Sequence, residues 1–195
     1  MKLIFATNNQ HKVDEIRPIL PSFLSILTMQ EAGFLIDIPE PFNTLEENAT
    51  EKAKVIYEQT HNSCFSEDTG LEVFSLNGEP GVHSARYAGE DRSPVKNTEK
   101  LLRKLKGSES REAQFRTIIC LIWINEQYLF EGICPGKIAF SPLGHDGFGY
   151  DPVFIPYGSE KTFGQMTQKE KSNFSHRRKA VDKLVAFLNK QRLND

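Results

Sequence analysis

The chain has 195 residues, a formal net charge of −2 and three cysteines. A chain of this length buries roughly 70% of its unfolded surface, so it can fold as one domain without disulfides. The charge argues against a broad basic face for nucleic acid, and no stretch approaches the roughly 18 apolar residues of a membrane span. We therefore expect one soluble, cytoplasmic domain over residues 1–195, or two lobes that share a sheet, that binds neither nucleic acid nor a membrane.

The cysteines Cys64, Cys120 and Cys134 lack a CxxC spacing and lie in apolar stretches. An odd number of cysteines without metal-ligand spacing is typical of a reduced intracellular protein. We expect them to be buried thiols rather than redox or metal-binding residues.

The first predicted elements are a strand, a polar turn and a helix. Residues 2–6 are mostly apolar, and from Gln10 onward Val13 and Ile16 recur at helical spacing until Pro21. The intervening residues 7–9 supply cap acceptors. Because such a turn directs backbone N–H groups and the positive end of the helix dipole outward, this arrangement favours phosphate binding.

The middle of the chain carries two capping boxes. A short strand over residues 24–27 precedes the first, which begins at Thr28 and predicts a helix of one or two turns ended by Gly33. The second begins at Thr44 and predicts a helix over residues 45–59. A short strand over 64–66 then leads into a polar turn, from which Gly70 allows a sharp exit.

The second half predicts a helix, a hairpin and a final helix. The helix begins after Ser93 and ends near Gly107, and the antiparallel strands cover residues 111–125 and 127–135. The last helix covers 176–190. Since helices and strands alternate early and a hairpin comes late, we expect an α/β fold with a mixed sheet.

Four polar runs fall between these elements, where α/β proteins place ligands: residues 7–12, 66–70, 144–151 and 171–177. The third combines glycines, aromatic rings and carboxylates, and without further information it fits a tight turn as well as a ligand loop.

Acidic residues in these runs could bind Mg²⁺. Glu67 and Asp68 are adjacent, so on a strand only one of them faces a given site, and Glu40 or Glu47 could supply a second carboxylate. A solvated acidic turn is the alternative. No histidine cluster supports zinc.

Basic residues lie at the entrances of the helices. Each could be a solvated surface charge, but together they could meet a polyanion, and the guanidinium of Arg177 suits a carbonyl or a phosphate. These residues are Lys12, Lys52, Lys171, His176, Arg177 and Arg178. A P-loop, a dinucleotide-binding glycine motif and a nucleophile elbow are absent from the sequence.

Six runs in order, at compatible spacing, resemble the inosine triphosphate pyrophosphatase family: residues 5–12, 45–49, 66–71, 81–89, 147–152 and 175–177. The resemblance covers almost the whole chain. It implies an elongated, two-lobed α/β fold with a long twisted mixed sheet flanked by helices, an active site in the cleft between the lobes, and a homodimer. It also implies Mg²⁺-dependent hydrolysis of ITP, dITP and XTP to the monophosphate and pyrophosphate.

The resemblance also implies residue roles. Asp68 matches the catalytic proton acceptor and a metal ligand, and Glu40 matches the second metal carboxylate. The expected substrate-binding residues are Thr7, Asn8, Asn9, Gln10, His11, Lys12, Lys52, Thr69, Phe148, Gly149, Tyr150, Asp151, Lys171, His176 and Arg177. Phe148 or Tyr150 would stack on the purine, and His176 or Arg177 would donate to its 6-carbonyl.

Three positions depart from the family pattern. Asn8 stands where glycine is common, and Glu67 to Gly70 replace Asp-Asp-Ser-Gly. Since asparagine tolerates left-handed backbone and Thr69 keeps a hydroxyl, we expect both functions to survive. Residues 39–43 lack the commoner Glu-Thr-Gly, which leaves Glu47 as an alternative to Glu40. Rival interpretations are a nucleotide sensor without catalysis and a pyrophosphatase for other modified nucleotides.

Overall fold

A computed structural model describes residues 1–194, and the side chains of residues 1–193. It confirms the predicted α/β class, since a mixed seven-stranded sheet is accompanied by helices. The strands are β1 Lys2–Phe5, β2 Ser25–Thr28, β3 Cys64–Val73, β4 Pro80–Gly81, β5 Glu112–Trp123, β6 Glu126–Ile138 and β7 Phe154–Pro156. The α-helices are α1 Gln10–Ile16, α2 Leu45–Thr60, α3 Pro94–Lys104, α4 Gln168–Ser172 and α5 His176–Asn194.

The strand order in the sheet is β2-β1-β3-β5-β6-β7, and β4 pairs with β3. Strand β1 runs parallel to β2 and β3, whereas β4 and β7 run antiparallel to their partners. Two residues, Ile124 and Asn125, join β5 to β6, and both have positive φ. A two-residue turn of this kind joins antiparallel strands, as the hairpin prediction required.

The chain divides into two compact units. Unit 1 comprises residues 1–68, 117–132 and the C-terminal segment from Arg177, and unit 2 comprises residues 69–116 and 133–176. Each unit has its own apolar core: Phe5, Phe65 and Leu184 belong to the core of unit 1, and Phe154 and Phe163 to that of unit 2. The prediction of a single domain stays a prediction.

Strand β3 extends further than the sequence predicts. It continues through Glu67, Asp68 and Thr69 to Val73, so the polar turn predicted at residues 66–70 is wrong. Gly70 does not provide an exit from the strand. It makes room for β4, because a Cβ atom there would lie 2.7 Å from the carbonyl oxygen of Gly81. Residues 68 and 69 are thereby held by the sheet rather than by a loop.

The predicted helix after Thr28 is also wrong. The capping box forms, since Thr28 and Glu31 exchange backbone-to-side-chain hydrogen bonds of 2.8 and 3.1 Å. However, residues 29–33 make only a turn, and Gly33 ends it with a φ of 87°. Forming the first turn of a helix is unfavourable, and this segment is too short to add the further helical hydrogen bonds that would offset that cost.

The three cysteines are buried and free, as predicted. Burial raises the pKa of the Cys64 thiol to about 12 and that of Cys120 to about 11, so neither thiol is reactive near neutral pH. Among residues 1–194, no helix has the length and apolarity to cross a membrane.

Candidate active site

The N-terminal turn of unit 1 is held by its own side chains. Asn9 caps α1 and accepts from the Lys12 amide, while the Asn9 amide donates to the Thr7 hydroxyl at 3.1 Å. The backbone of Asn8 is not left-handed, so the tolerance of asparagine for that conformation is not used here. Its side-chain amide instead donates to the carbonyl of Ile36, at 2.8 Å. The following residues, Gln10 and His11, are exposed on α1.

Two lysines converge on one backbone carbonyl. The ammonium groups of Lys12 and Lys52 both donate to the Glu67 carbonyl oxygen, at 3.3 and 2.9 Å. Lys52 lies on the buried face of α2, one turn after Asn48, and its side chain is 8% exposed. That of Lys12 is 15% exposed. The alternative of solvated surface lysines is therefore wrong for both residues.

Lys52 also joins two carboxylates. Its ammonium group lies 2.5 Å from Glu40 Oε1 and 2.9 Å from Asp68 Oδ1. We call Lys12, Glu40, Lys52, Glu67 and Asp68 the lysine–acid cluster. All of its members belong to unit 1. The structure thus brings Asp68 and Glu40, the predicted metal carboxylates, together with Lys12 and Lys52, whereas Lys171, which the resemblance also assigns to phosphate, lies in unit 2.

Burial and charge shift the pKa values in this cluster. Burial raises the pKa of Asp68 above its usual value, although Lys52 and Lys12 oppose the shift. Burial acts in the same direction on Glu40, but there the Lys52 ammonium outweighs it and the pKa is lowered. Burial lowers the pKa of Lys12, whereas the two carboxylates overcome burial and raise that of Lys52. The pKa of Asp68 is thus raised above its usual value, while that of Glu40 is lowered below its own.

The Glu67 side chain lies 3.5 Å from the Lys12 ammonium group and has a second cationic partner. It binds the guanidinium of Arg177 through two parallel hydrogen bonds, of 2.7 and 2.8 Å, and Glu15 binds the remaining side of the same group. Burial opposes the charge of Arg177, but the two acids outweigh it and raise the pKa. With its fork held by acids, Arg177 could contact a base only after exchanging a partner, and its role in substrate binding stays a prediction.

Unit 2 contains a second buried ion pair. Lys171 on α4 lies 2.6 Å from Asp151 Oδ2, and its ammonium group is 5.0 Å from the centre of the Phe148 ring. The same Asp151 oxygen accepts from the Phe148 amide at 2.7 Å. Gly147 lies so close that a Cβ atom would be 2.0 Å from that oxygen. We call Phe148, Asp151 and Lys171 the aromatic ion pair.

Two other predicted residues of unit 2, Tyr150 and His176, are buried. Tyr150 is 4% exposed, lies in the core and donates to the Ser84 carbonyl at 2.9 Å. The expectation that its ring offers a purine platform is therefore wrong, because that ring is covered by protein. Phe148 is half-buried and remains accessible, as does Gly149 next to it. His176 is 2% exposed and stacks on Phe115 with ring centres 4.6 Å apart.

The carboxylates were tested as ligands for a divalent ion. Glu40 and Asp68 approach within hydrogen-bond distance of one ammonium nitrogen, so their oxygens already converge on a cation. Glu47 is exposed and accepts a hydrogen bond from the Thr44 hydroxyl at the start of α2, and its place as the alternative metal ligand stays a prediction. Within residues 1–194, no group of three or more acidic, histidine or cysteine ligands is arranged for a metal. Two carboxylates suit Mg²⁺, which takes one or two together with substrate phosphates and water.

Sequence reasoning missed the role of Glu15. It was assigned no function because nothing in the local pattern of α1 distinguishes it from a solvated helix acid. The spacing of Lys12 and Glu15 is the one available signal, since residues three apart share a helix face. Thr69, predicted to bind substrate, is half-buried in β3, and its role stays a prediction.

Comparisons of this chain with a family profile, with curated relatives and with solved structures all point to one protein family. The sequence profile of the Ham1 family matches residues 3–187. A relative from Flavobacterium psychrophilum named dITP/XTP pyrophosphatase is 49% identical over 187 residues, which cover 96% of this chain and 98% of the relative. A relative of the same name from Porphyromonas gingivalis is 48% identical over 188 residues, covering 96% and 97% of the two chains.

Solved structures show the same fold. The Ham1 protein of Staphylococcus aureus has a TM-score of 0.89 at 39% identity, covering 98% of this chain and all of that chain. The HAM1 protein of Coxiella burnetii has a TM-score of 0.90 at 31% identity, covering 97% and 99%. These matches confirm the resemblance on which the site residues were predicted. The chain belongs to the Ham1 family.

Proposed function

We propose that this protein hydrolyses deaminated purine nucleoside triphosphates, dITP, XTP and ITP, to the monophosphate and pyrophosphate, and so removes them from the nucleotide pool. The names of the relatives support the reaction and the substrate class. The observation that carries the proposal is the lysine–acid cluster, in which two poorly exposed ammonium groups lie beside an acid of raised pKa. Such a set suits a polyphosphate and a nucleophilic water.

The lysines bind the substrate by replacement of partners. The ammonium groups of Lys12 and Lys52 share the Glu67 carbonyl as an acceptor, and phosphate oxygens can take up those two hydrogen bonds. The two cations then neutralise part of the charge that develops on the leaving pyrophosphate. Because they are held before the substrate arrives, little reorganisation is needed in the transition state.

Asp68 orients the attacking water and accepts its proton. The water oxygen forms a bond to phosphorus while the bond between the phosphorus and the bridging oxygen breaks, and pyrophosphate leaves. A buried carboxylate of raised pKa is a better proton acceptor than a solvated one. Lys52, at 2.9 Å, fixes the orientation of the Asp68 carboxylate.

Nucleoside-triphosphate pyrophosphatases generally use a divalent metal. We assign Mg²⁺ to Glu40 and Asp68, because their oxygens converge and Mg²⁺ prefers such ligands. When bound, the ion supplies charge neutralisation at the phosphate oxygens and polarises water.

We assign contact with the base to residues of unit 2 and to Arg177 of unit 1. The accessible ring of Phe148 can stack on a purine, and the neighbouring Lys171 stiffens that ring by a cation–π contact. The 6-carbonyl of a deaminated purine needs a donor, for which His176 or Arg177 is proposed. One such hydrogen bond discriminates against the amino group of adenine by roughly tenfold to a hundredfold.

The deciding experiment measures pyrophosphate and monophosphate released from dITP, XTP, ITP, GTP and ATP, with Mg²⁺ and after its removal with EDTA. We expect hydrolysis of the first three, at least tenfold lower kcat/KM for ATP, which lacks the 6-carbonyl, and none without the metal, whereas GTP has that carbonyl and measures the selectivity at position 2 of the base. Binding of dITP without hydrolysis would favour the sensor, and release of orthophosphate alone would contradict the proposed bond cleavage. Hydrolysis of other modified nucleotides with equal kcat/KM would favour a broader pyrophosphatase.

A homodimer and a cytoplasmic location are also part of the proposal, and they follow from the resemblance. Analytical ultracentrifugation at micromolar concentration tests the dimer. A sedimenting mass equal to that of one chain, 22.2 kDa, would contradict it.

A further inference from the structure

Two of the departures from the family pattern meet in the structure. Asn8 replaces a glycine, and residues 39–41 read Pro-Glu-Pro. The Asn8 amide donates to Ile36, four residues before Glu40. We call residues 34–41 the strap. All of these residues belong to unit 1.

The strap belongs to no helix or strand, yet its burial alternates. Phe34, Ile36, Ile38 and Glu40 face the protein, while residues 35, 37, 39 and 41 are exposed. An extended segment has a side-chain period of two, so a slip by one residue would turn Glu40 to solvent and away from Lys52. A strap without a sheet ladder therefore needs other contacts to define its register.

The two prolines make the strap stiff. Pro39 and Pro41 fix their own φ, and each disfavours the helical region for the residue before it, which keeps Ile38 and Glu40 extended. A displacement of the backbone at Ile36 is therefore passed on to Glu40 rather than absorbed between them. The Asn8 hydrogen bond acts on the carbonyl at the start of this stiff stretch.

We propose that Asn8 is a positioning residue: its side-chain amide holds the strap in register and thereby places the Glu40 carboxylate against Lys52. The effect on catalysis rests on the proposed function, but the effect on the strap does not. The same bond couples the N-terminal turn, which precedes the helix that carries Lys12, to the second acid of the lysine–acid cluster. An exposed hydrogen bond of this kind is worth a factor of roughly three to ten in an equilibrium.

The first test is hydrogen exchange of the nucleotide-free protein. In Asn8→Ala, amide exchange in peptides covering residues 34–40 should be about three to ten times faster. Asn8→Asp keeps the shape but loses the donor, and it should behave likewise. The control is Asn62→Ala, since the exposed Asn62 amide also donates to a carbonyl, that of Thr60. Unchanged exchange of the strap in both Asn8 variants would overturn the proposal.

The second test is a double-mutant cycle on dITP hydrolysis. Asn8→Ala should lower kcat/KM by roughly three- to tenfold in the wild-type background and by less than about twofold in Glu40→Gln. Equal losses in both backgrounds would mean that the amide contacts the triphosphate directly, and would overturn the positioning role. If the wild-type protein hydrolysed no nucleotide, the proposed function would fail, and the exchange experiment would still decide whether Asn8 holds the strap.

Discussion

The lysine–acid cluster of unit 1 and the aromatic ion pair of unit 2 are both buried, but they are built differently. The two lysines of the cluster donate to the same backbone carbonyl, and Lys52 also binds two carboxylates. Lys171 has a carboxylate partner that is itself held by the Phe148 amide, and aromatic rings around it. The lysines of the cluster can exchange the shared carbonyl for phosphate oxygens, whereas the aromatic ion pair holds the loop around Phe148 in place. Substitutions should therefore affect turnover most in unit 1 and loop structure most in unit 2.

The largest effect is expected for Asp68→Asn. Loss of the proton acceptor should reduce kcat on dITP by about 10²- to 10⁴-fold, because asparagine keeps the shape but is not basic. The matched control is Asp182→Asn, which alters an exposed pair with Arg178. Circular dichroism and thermal unfolding should show both variants folded. A folded Asp68→Asn variant with full activity would remove Asp68 from its role.

Glu67→Gln should mainly reduce stability. It leaves the Arg177 guanidinium, whose side chain is 2% exposed, with Glu15 as its remaining anionic partner among those described above. Breaking a buried pair costs about 3 kcal/mol, whereas Asp182→Asn, which breaks the exposed pair of the next arginine, should cost less than about 1 kcal/mol. Urea unfolding measures both changes. Equal losses of unfolding free energy in the two variants would show that burial does not make the ion pair of Arg177 more important for stability than that of Arg178.

Lys171→Met tests whether the aromatic ion pair of unit 2 has a structural role. It leaves Asp151 buried beside the Phe148 amide and should cost about 2 kcal/mol of unfolding free energy. Lys161→Met, which breaks an exposed pair with Glu170, should cost less than about 1 kcal/mol. On dITP, Lys171→Met should raise KM more than it lowers kcat. A kcat loss as large as that of Asp68→Asn would contradict the division of roles.

The smallest expected change is in the pH dependence of stability and concerns Glu170. This residue belongs to the capping box at the start of α4, and its side chain is partly exposed. The Thr167 amide, followed by Lys161, lowers the pKa of Glu170 to about 2. Because the folded pKa lies below the unfolded value, the stabilisation is complete above the unfolded pKa and is lost as the pH falls toward 2. The unfolding free energy of Glu170→Gln should thus depend less steeply on pH between 5 and 3 than that of the wild type. Urea unfolding at pH 5, 4 and 3 measures the two dependences, and equal slopes for the variant and the wild type would contradict this assignment.

Strong local signals gave correct predictions of most elements. Helix α2 begins after its predicted cap Thr44 and runs to Thr60, and the hairpin strands were found within three residues of their predicted bounds. The turn at 29–33 and the extended β3 were mispredicted, because both outcomes depend on tertiary contacts. Gly70 resembles a turn signal in sequence, and only the backbone of Gly81 shows why a glycine is needed within a strand.

The sequence by itself determined the α/β class, the main helices and the identity of the residues in the lysine–acid cluster, since capping boxes, periodicity and motif order are local properties. Only the tertiary structure decided their partners. It placed Glu40 rather than Glu47 beside Lys52, joined Glu67 to Arg177, covered the ring of Tyr150 and connected Asn8 to the strap. These choices depend on packing and on charge pairing between residues far apart in the chain, for which a single sequence carries no local pattern.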